Sequence, residues 1–490
     1  MEKNDPIIVV GAGIFGLSTA LHLARRGYSV TVFDRQPYDE SKYSYLHGAD
    51  AASADINKII RSAYGGQTEY QSLSTEAIAA WHEWNEELAS GKTVPPGMTR
   101  KDRVFVANGN ISMSEDSELP PWEQACIDGM EKAGHHDTQL ATTDPRHCEV
   151  AASRGLSSYM DPFQQNRRGQ KPVGVLDTTG GMAIADKACR FALHKAREAG
   201  AKFVFGSQAG CLQSLRFDGN KVTGIETRDG KFHHASMTIL ACGGWTPVLL
   251  PELDGLCEAT AGSVILMKIP TNSPLWDRLG PQQFPTFTFN MRAGRKGGLY
   301  GFPRNEDGYF KVGYRGTKYT NPVRHSDGKE RSTPATRWSA AERDGTQPIG
   351  ERLTDFPREA YQVIHTFLDR YLPELREENI PTSTTRMCWY TDTFDNHFVV
   401  DQVPGKQSLM VATGGSGHAF KYLPNIGNWV VDIMENVNTD REAIQAWGWR
   451  ALENKKPINN LMEGSQGERA LGNIALSKES IIKQSAKAVL

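Results

Sequence analysis

Residues 11–16 read Gly-Ala-Gly-Ile-Phe-Gly, three glycines spaced G-x-G-x-x-G, between a β-branched run at 7–10 and a stretch of helical apolar spacing at 14–26. A second strand-like run at 29–34 closes on Asp34, an acid standing where such motifs place one, about 20 residues on. Few folds accept this combination. It predicts a βαβ opening on a parallel sheet, in which Gly11 allows the tight turn, Gly13 lets backbone approach a pyrophosphate and Gly16 lets helix meet strand. The helix N-terminus offers unpaired N–H groups to the anion. Gly11, Gly13, Ile14, Phe15, Gly16 and Asp34 are therefore the predicted dinucleotide contacts, with Asp34 accepting the ribose hydroxyls. The motif does not separate FAD from NAD.

A chain of 490 residues, 39% hydrophobic and 23% charged, has the composition of a soluble globular protein with room for two cores. Its 55 Lys and Arg against 57 Asp and Glu give a net charge of -2. Such a balance supplies no field for gripping a phosphate backbone or an anionic membrane, so neither nucleic acid nor membrane is expected as a partner. No apolar run approaches the roughly 18 residues that span a bilayer. The N-terminus lacks the basic region and longer apolar stretch of a secretory signal. Ala488-Val489-Leu490 only loosely resembles the peroxisomal address Ser-Lys-Leu, so the expectation is cytoplasm, with the peroxisome as alternative. Seven cysteines without close pairs argue against a disulfide framework and a zinc site, and no metal is expected.

Beyond the opening, the spacing predicts a helix at 70–88, while 91–119, rich in Gly, Pro, Ser and charge, reads as loop. A helix at 182–199 and strands at 202–205, 222–227 and 236–241 look like a continuation of the nucleotide domain. Residues 251–385 alternate short strands with loops and include a charged, Ser/Thr-rich stretch at 321–347. Strands at 398–400 and 410–413 then precede a helix at 423–435 with Pro424 in its first turn. The expected division is a discontinuous nucleotide-binding domain of 1–90, 171–250 and 386–451, a substrate domain of 91–170 and 251–385, and a tail of 452–490.

Two further segments carry a family likeness. Thr238-Ile239-Leu240-Ala241-Cys242-Gly243-Gly244-Trp245-Thr246 resembles the strand-to-turn segment of the D-amino-acid-oxidase-like FAD superfamily. Met387-Cys388-Trp389-Tyr390-Thr391-Asp392-Thr393, with His397-Phe398, Asp401 and Gly415-Ser416-Gly417-His418-Ala419-Phe420-Lys421, is similar to monomeric sarcosine oxidase and the fungal fructosyl amino acid oxidases, or amadoriases. Most of the chain aligns with that group. The resemblance implies an α/β fold, with a Rossmann-like FAD-binding domain and an α+β substrate domain on a mixed or antiparallel sheet. It also implies a monomeric oxidase of small amines, with FAD held covalently at Cys388 and O2 as acceptor, giving an imine or iminium and hydrogen peroxide.

Particular residues take roles through that likeness. Asn57-Lys58-Ile59-Ile60-Arg61-Ser62 resembles the segment that crosses the flavin and enters the substrate pocket, which makes Asn57 and Lys58 cofactor neighbours. Arg61 and Lys421 match the partners of the substrate carboxylate, a task for which a planar guanidinium is well shaped. Gly417, Phe420 and Lys421 match cofactor contacts. Lys311, in Tyr309-Phe310-Lys311-Val312-Gly313-Tyr314, matches a lysine placed above flavin N5, where fixed positive charge favours oxygen reduction. Without the likeness, Cys388 reads as a buried apolar thiol and the cations as solvated side chains. Apolar neighbours at Ile59, Ile60 and Phe420 speak against full exposure. His418 and Tyr390 are expected to be structural hydrogen-bond partners.

Two departures bear on substrate. Phe289-Asn290-Met291-Arg292-Ala293-Gly294 lacks the glutamate of the amadoriase run Phe-Asn-Ile-Glu-Arg-Gly, and Arg61 stands where those enzymes tend to lack an arginine. Both shift the expected substrate from glycated amino acids toward those of sarcosine, pipecolate or saccharopine oxidases. A resemblance to fungal amadoriase-like oxidases of isoquinoline alkaloid biosynthesis adds ring closure by C–C bond formation as an outcome. An NAD-dependent dehydrogenase and a non-catalytic flavin-binding redox sensor are the rival readings, since fold does not fix function.

Overall fold

The computed structural model describes residues 2–46, 49–336, 355–453 and 456–478. The 337–347 part of the charged stretch and Ala488-Val489-Leu490 lie outside the described residues. The opening forms as the spacing predicts, with β1 (Pro6–Val10), α1 (Ile14–Arg25) and β2 (Ser29–Asp34). β1 pairs in parallel with β2 on one side and with Met237–Leu240 on the other. The resulting six-stranded sheet runs Val399–Gln402, Leu409–Thr413, Met237–Leu240, β1, β2, Lys202–Phe205. Its first pair alone is antiparallel.

Strand alternation distributes this sheet's side chains between two covers. Ile7 and Val9 pack with Val30, Val32 and Ile239 beneath α1 and the helices Ala185–Glu198 and Ile426–Glu435. Ile8 and Val10 face the other way, with Phe33, Leu240 and Val411, against Val222 and Ile225 of a small antiparallel sheet, Leu212–Asp218, Lys221–Thr227 and Phe232–His234. Burial on both faces is why these strands are nearly continuous in Ile and Val. The helix Ile426–Glu435 lies so close to α1 that a Cβ on Gly427 would fall 2.0 Å from the Ser18 carbonyl oxygen.

The second large sheet has eight strands in the order Thr382–Thr393, Cys257–Lys268, Tyr309–Tyr319, Leu299–Phe302, Thr286–Phe289, Asn110–Ser114, Val173–Asp177, Gln139–Ala141. Its one parallel pair is Thr286–Phe289 with Asn110–Ser114. The helix Arg358–Tyr371 covers it, placing Ile364, Phe367 and Leu368 among Phe287, Phe289 and Phe310. In a separate three-stranded sheet, β3 (Asn57–Ile60) pairs with Gly181–Ile184, which also pairs with Phe105–Val106.

Several local expectations change. The predicted loop at 91–119 contains Phe105–Val106 and Asn110–Ser114, strands held by partners far along the chain. Residues 182–184 belong to a strand rather than a helix, because pairing with β3 captures them, and the helix begins at Ala185. Pro424 precedes the helix Ile426–Glu435 instead of entering its first turn, and its carbonyl accepts a hydrogen bond from His22 Nε2 at 2.9 Å. The strands of 251–385 are not all short, since Cys257–Lys268 has 12 residues and Tyr309–Tyr319 has 11. Lys221–Thr227 sits in the small antiparallel sheet, outside the parallel one.

Candidate active site

The turn between β1 and α1 is built for a close approach. Gly11 has a φ of 105°, and a Cβ there would lie 2.4 Å from the Ala241 carbonyl oxygen. A Cβ on Gly16 would lie 1.8 Å from the Gly11 carbonyl oxygen, so only hydrogen fits where α1 meets β1. Gly13 differs, since the nearest atom to a Cβ there would be Ser53 Oγ at 3.9 Å, and the position opens into a cleft. α1 starts at Ile14 without a capping side chain and without an acid in its first turn. Its first N–H groups and their partial positive charge are left for a ligand. Asp34 anchors the turn's far side, accepting the N–H of Ala12 at 2.7 Å and of Gln36 at 2.8 Å, while burial raises its pKa.

One cleft of about 360 Å³ joins these residues to the rest of the site. Gly11, Gly13, Ile14, Phe15 and Asp34 line one part, and Lys58, Arg61, Cys388, Gly417, Phe420 and Lys421 line another. Gly16 is not on the wall; it acts through the packing under it. Cys388 lies opposite Gly262 in the eight-stranded sheet, buried against Ile56, Val264 and Leu266, with Lys58 Nζ 3.7 Å from its Sγ. Lys58 is paired to Asp55 at 2.5 Å; burial opposes its charge, but Asp55 outweighs it and the pKa is raised.

Asp55 is the hub of a buried ionic cluster. It also takes Lys311 at 2.8 Å and lies 3.7 Å from Arg386. Burial works against its charge, yet Lys311, Lys58 and Arg386 hold the carboxyl far below the usual range. Lys311 is fully buried and donates to Asp55 Oδ2 and, at 3.0 Å, to the carbonyl of Asn57. Burial brings its pKa down to about 8 in spite of Asp55. It does not line the cleft; it stands behind Lys58 and the ring of Phe302, which lies 4.8 Å from its Nζ. The side chain of Asn57 is likewise behind the wall, 3.9 Å from Met182 Sδ.

The cations at the other part of the wall are placed differently. Arg61, just past the end of β3, stacks on Tyr64 at 4.6 Å and Trp122 at 4.9 Å. Lys421 is buried, and its Nζ donates to Tyr64 Oη at 2.6 Å. Among the described residues neither Arg61 nor Lys421 makes an ion pair with a carboxylate. Burial first, and then repulsion from Arg61, pulls Lys421 well below an ordinary lysine. His418 is held between Tyr64 Oη at 3.2 Å and the Asn396 carbonyl at 3.0 Å; burial and Lys421 keep it neutral. The buried hydroxyl of Tyr390, on the cleft wall, has no hydrogen-bond partner among the described residues.

Asp55 and Tyr64, and Tyr300 and Arg315 on the cleft wall, were not foreseen. Arg315 could have been, since strand alternation from Lys311 through Gly313 leads to it.

The sequence profile of the family described as FAD dependent oxidoreductase, DAO, matches residues 6–433. The chain belongs to that family. This FAD dependent oxidoreductase is 26% identical over 457 residues to L-saccharopine oxidase of Schizosaccharomyces pombe, covering 91% of this chain and 93% of that protein. It is 25% identical over 430 residues to N-methyl-L-tryptophan oxidase of Salmonella dublin, covering 87% and 94%. Among solved structures, fructosyl peptide oxidase from E. terrenum is similar with a TM-score of 0.76 and 25% identity, over 98% of this chain and 100% of that one. The α/β architecture with mixed and antiparallel sheets is that of the family.

FAD fits the residues present. The uncapped start of α1, the open face of Gly13 and the carboxylate of Asp34 suit a pyrophosphate and a ribose. Among the described residues, no group of three or more His, Cys, Asp or Glu is placed to hold a metal ion. No described helix is long and apolar enough to cross a membrane.

Proposed function

We propose that the protein is an oxidase of a small secondary amine bearing a carboxylate, an N-methyl or N-alkyl amino acid or a derivative, with O2 as acceptor and FAD joined to Cys388. One observation carries the reading: Arg61 and Lys421, cations without carboxylate partners among the described residues, line the same cleft as the dinucleotide turn. When bound, FAD supplies the two-electron acceptor for oxidation of the C–H bond beside nitrogen. The residues of the chain divide the remaining work. Gly11, Gly13 and the start of α1 bind the pyrophosphate, Asp34 the ribose, and Lys58 sets the charge around Cys388 Sγ.

Arg61 receives a carboxylate in bidentate fashion, the geometry in which a guanidinium is strongest. Lys421 completes the anion site, aimed by Tyr64 and protected from water by burial. The unpartnered hydroxyl of Tyr390 offers the amine a polar contact on the wall. His418, locked and neutral, is a positioning residue for Tyr64. Lys311 adds fixed positive charge behind Lys58 and Phe302, the electrostatics that favour passing electrons to oxygen. The names of the saccharopine and N-methyl-L-tryptophan oxidases support a secondary amine of amino-acid type.

A peroxide-coupled screen of N-methyl and N-alkyl amino acids against their uncharged amides tests this. The acids are expected to turn over and the amides to lose about 30-fold or more in kcat/KM, as removal of a desolvated ionic contact of at least about 2 kcal/mol requires. Equal rates for acids and amides, or activity that needs NAD and no oxygen, would overturn the reading.

A further inference from the structure

Arg315 is a further cation on the cleft wall, beside Lys58, Arg61 and Lys421, and the carboxylate of an amino-acid substrate leaves it unused. Its strand, Tyr309–Tyr319, brings the guanidinium to the cleft beside Gly417. Gly417 has a φ of 75°, and a Cβ there would lie 2.8 Å from both terminal guanidinium nitrogens, so the glycine makes the space that Arg315 occupies. Among the described residues the guanidinium has no hydrogen-bond or ion-pair partner, although its backbone N–H is bonded to the Gly298 carbonyl. Asp392 is the carboxylate whose field it feels, but both oxygens of Asp392 are taken. Oδ2 accepts from Thr260 Oγ1 at 2.6 Å, and Oδ1 accepts from Lys318 Nζ at 3.0 Å.

Arg61, Lys421 and Arg315 thus share one cleft, and among the described residues no carboxylate is bound to any of the three. Their mutual repulsion is visible at Lys421, which burial, Arg61 and Arg315 all drive toward its neutral form. Lysine can relieve such a position by losing a proton, whereas a guanidinium cannot. A half-buried guanidinium with no bonded partner among the described residues has all of its donors free for an acidic ligand. A single carboxylate has two oxygens, which the fork of Arg61 and the ammonium of Lys421 already claim. The five-donor fork of Arg315 calls for a second acidic group.

We propose that Arg315 forms a second anion subsite, and that the amine oxidised here carries two acidic groups, one on Arg61 and Lys421 and another carboxylate or comparable oxyanion on Arg315. The inference rests on the amine-oxidase reading above and narrows its substrate class to N-substituted dicarboxylic amino acids. No glutamate lies on this wall among the described residues, so the subsite selects for negative charge without competition from within the chain.

Calorimetric titration of the FAD-loaded enzyme with succinate, glutarate, adipate and butyrate decides the matter. At least one dicarboxylate is expected to bind about 10- to 100-fold tighter than butyrate, the value of one more charge-assisted contact. Arg315→Met removes that preference while shifting butyrate by less than about threefold. Arg315→Lys keeps part of the preference and serves where the truncation loses its flavin. Arg61→Met weakens all four ligands. Butyrate binding without any dicarboxylate preference overturns the second subsite alone. A preference that survives in Arg315→Met does the same, as does a variant that alters the flavin spectrum while the preference persists. Failure of all four ligands to bind overturns both this subsite and the carboxylate role of Arg61 and Lys421.

Discussion

Protonation of Lys421 should control anion binding in the cleft, and a simple carboxylate would report on it. Its Nζ has one hydrogen bond, to Tyr64, and burial with Arg61 holds its pKa well below the ordinary 10.5. A carboxylate binds the ammonium form, so affinity is full below the free-enzyme pKa and is lost as pH rises through it. Above that point log Kd climbs by about one per pH unit, or about 1.36 kcal/mol. Butyrate is fully ionised well above a carboxylic pKa of about 4.3, so between pH 6 and 10 the slope belongs to the protein. Calorimetry in two buffers of different ionisation heat should show uptake of about one proton on the rising limb. Lys421→Met should flatten the profile and weaken binding at low pH by about 2–5 kcal/mol, roughly 30-fold or more. Any contribution from Lys311, with a pKa of about 8, survives in that variant and is separated by it. Arg61→Met should move the rise to higher pH, because it removes a charge that depresses Lys421. A wild-type log Kd that stays flat from pH 6 to 10 would show that Lys421 is no partner of the anion.

Acid-precipitated wild-type protein should keep yellow flavin on the polypeptide, and Cys388→Ala should release all of it to the supernatant; release from both removes the tether. Gly16→Ala should cost more than the usual 1–3 kcal/mol of overpacking and yield little FAD-bound protein, because a backbone oxygen stands 1.8 Å from the new Cβ. Gly13→Ala should fold and lose affinity for FAD, so equal behaviour of the two variants in thermal melts would contradict the packing argument. Glu258 is buried, with Arg469 3.7 Å from its Oε2, and burial pushes its pKa up to about 7 against the pull of that arginine. A raised acid pKa means that its stability is present below the unfolded value of 4.5 and is lost as pH rises through about 7. Glu258→Gln should therefore stabilise the fold more at pH 8 than at pH 5, by on the order of 3 kcal/mol at most, and equal Tm shifts at both would refute this. Lys311→Met should slow oxygen consumption about 10²-fold while sparing anaerobic flavin bleaching, and stopped-flow traces that slow equally would assign Lys311 to packing alone.

What could be read from the sequence was local or came with a long signature. β1, α1 and β2 carry their own periodicity and their glycine spacing, so their bounds agree with the expectation to within a residue or so. Asn110–Ser114 carries almost none: Ile111 and Met113 alternate with polar residues over too short a span, and the strand exists because Thr286–Phe289 lies beside it. Gly181–Ile184 has helical neighbours and was drawn into a strand by β3. The same distinction governs the site. Arg61, Lys421 and Cys388 came with the family signature, but Asp55 gains its importance from Lys311 and Arg386, hundreds of residues away. Strand alternation puts Arg315 on the face of Lys311, but the space it occupies depends on Gly417, about a hundred residues away.

The order of strands in the parallel sheet has a consequence for how the protein comes into being. Gly11 is walled by Ala241, and α1 rests on Gly427, so the glycine turn has neither its wall nor its helical backing when it leaves the ribosome. At 5–20 residues per second, roughly 20–80 s separate synthesis of α1 from synthesis of the helix that covers it. Throughout that interval the side of α1 that Gly427 will cover lacks its partner, and its pairing is of the long-range kind that forms slowly. Cofactor capture is therefore an event for an almost finished chain, because the wall of the glycine turn and the backing of its helix are both made late.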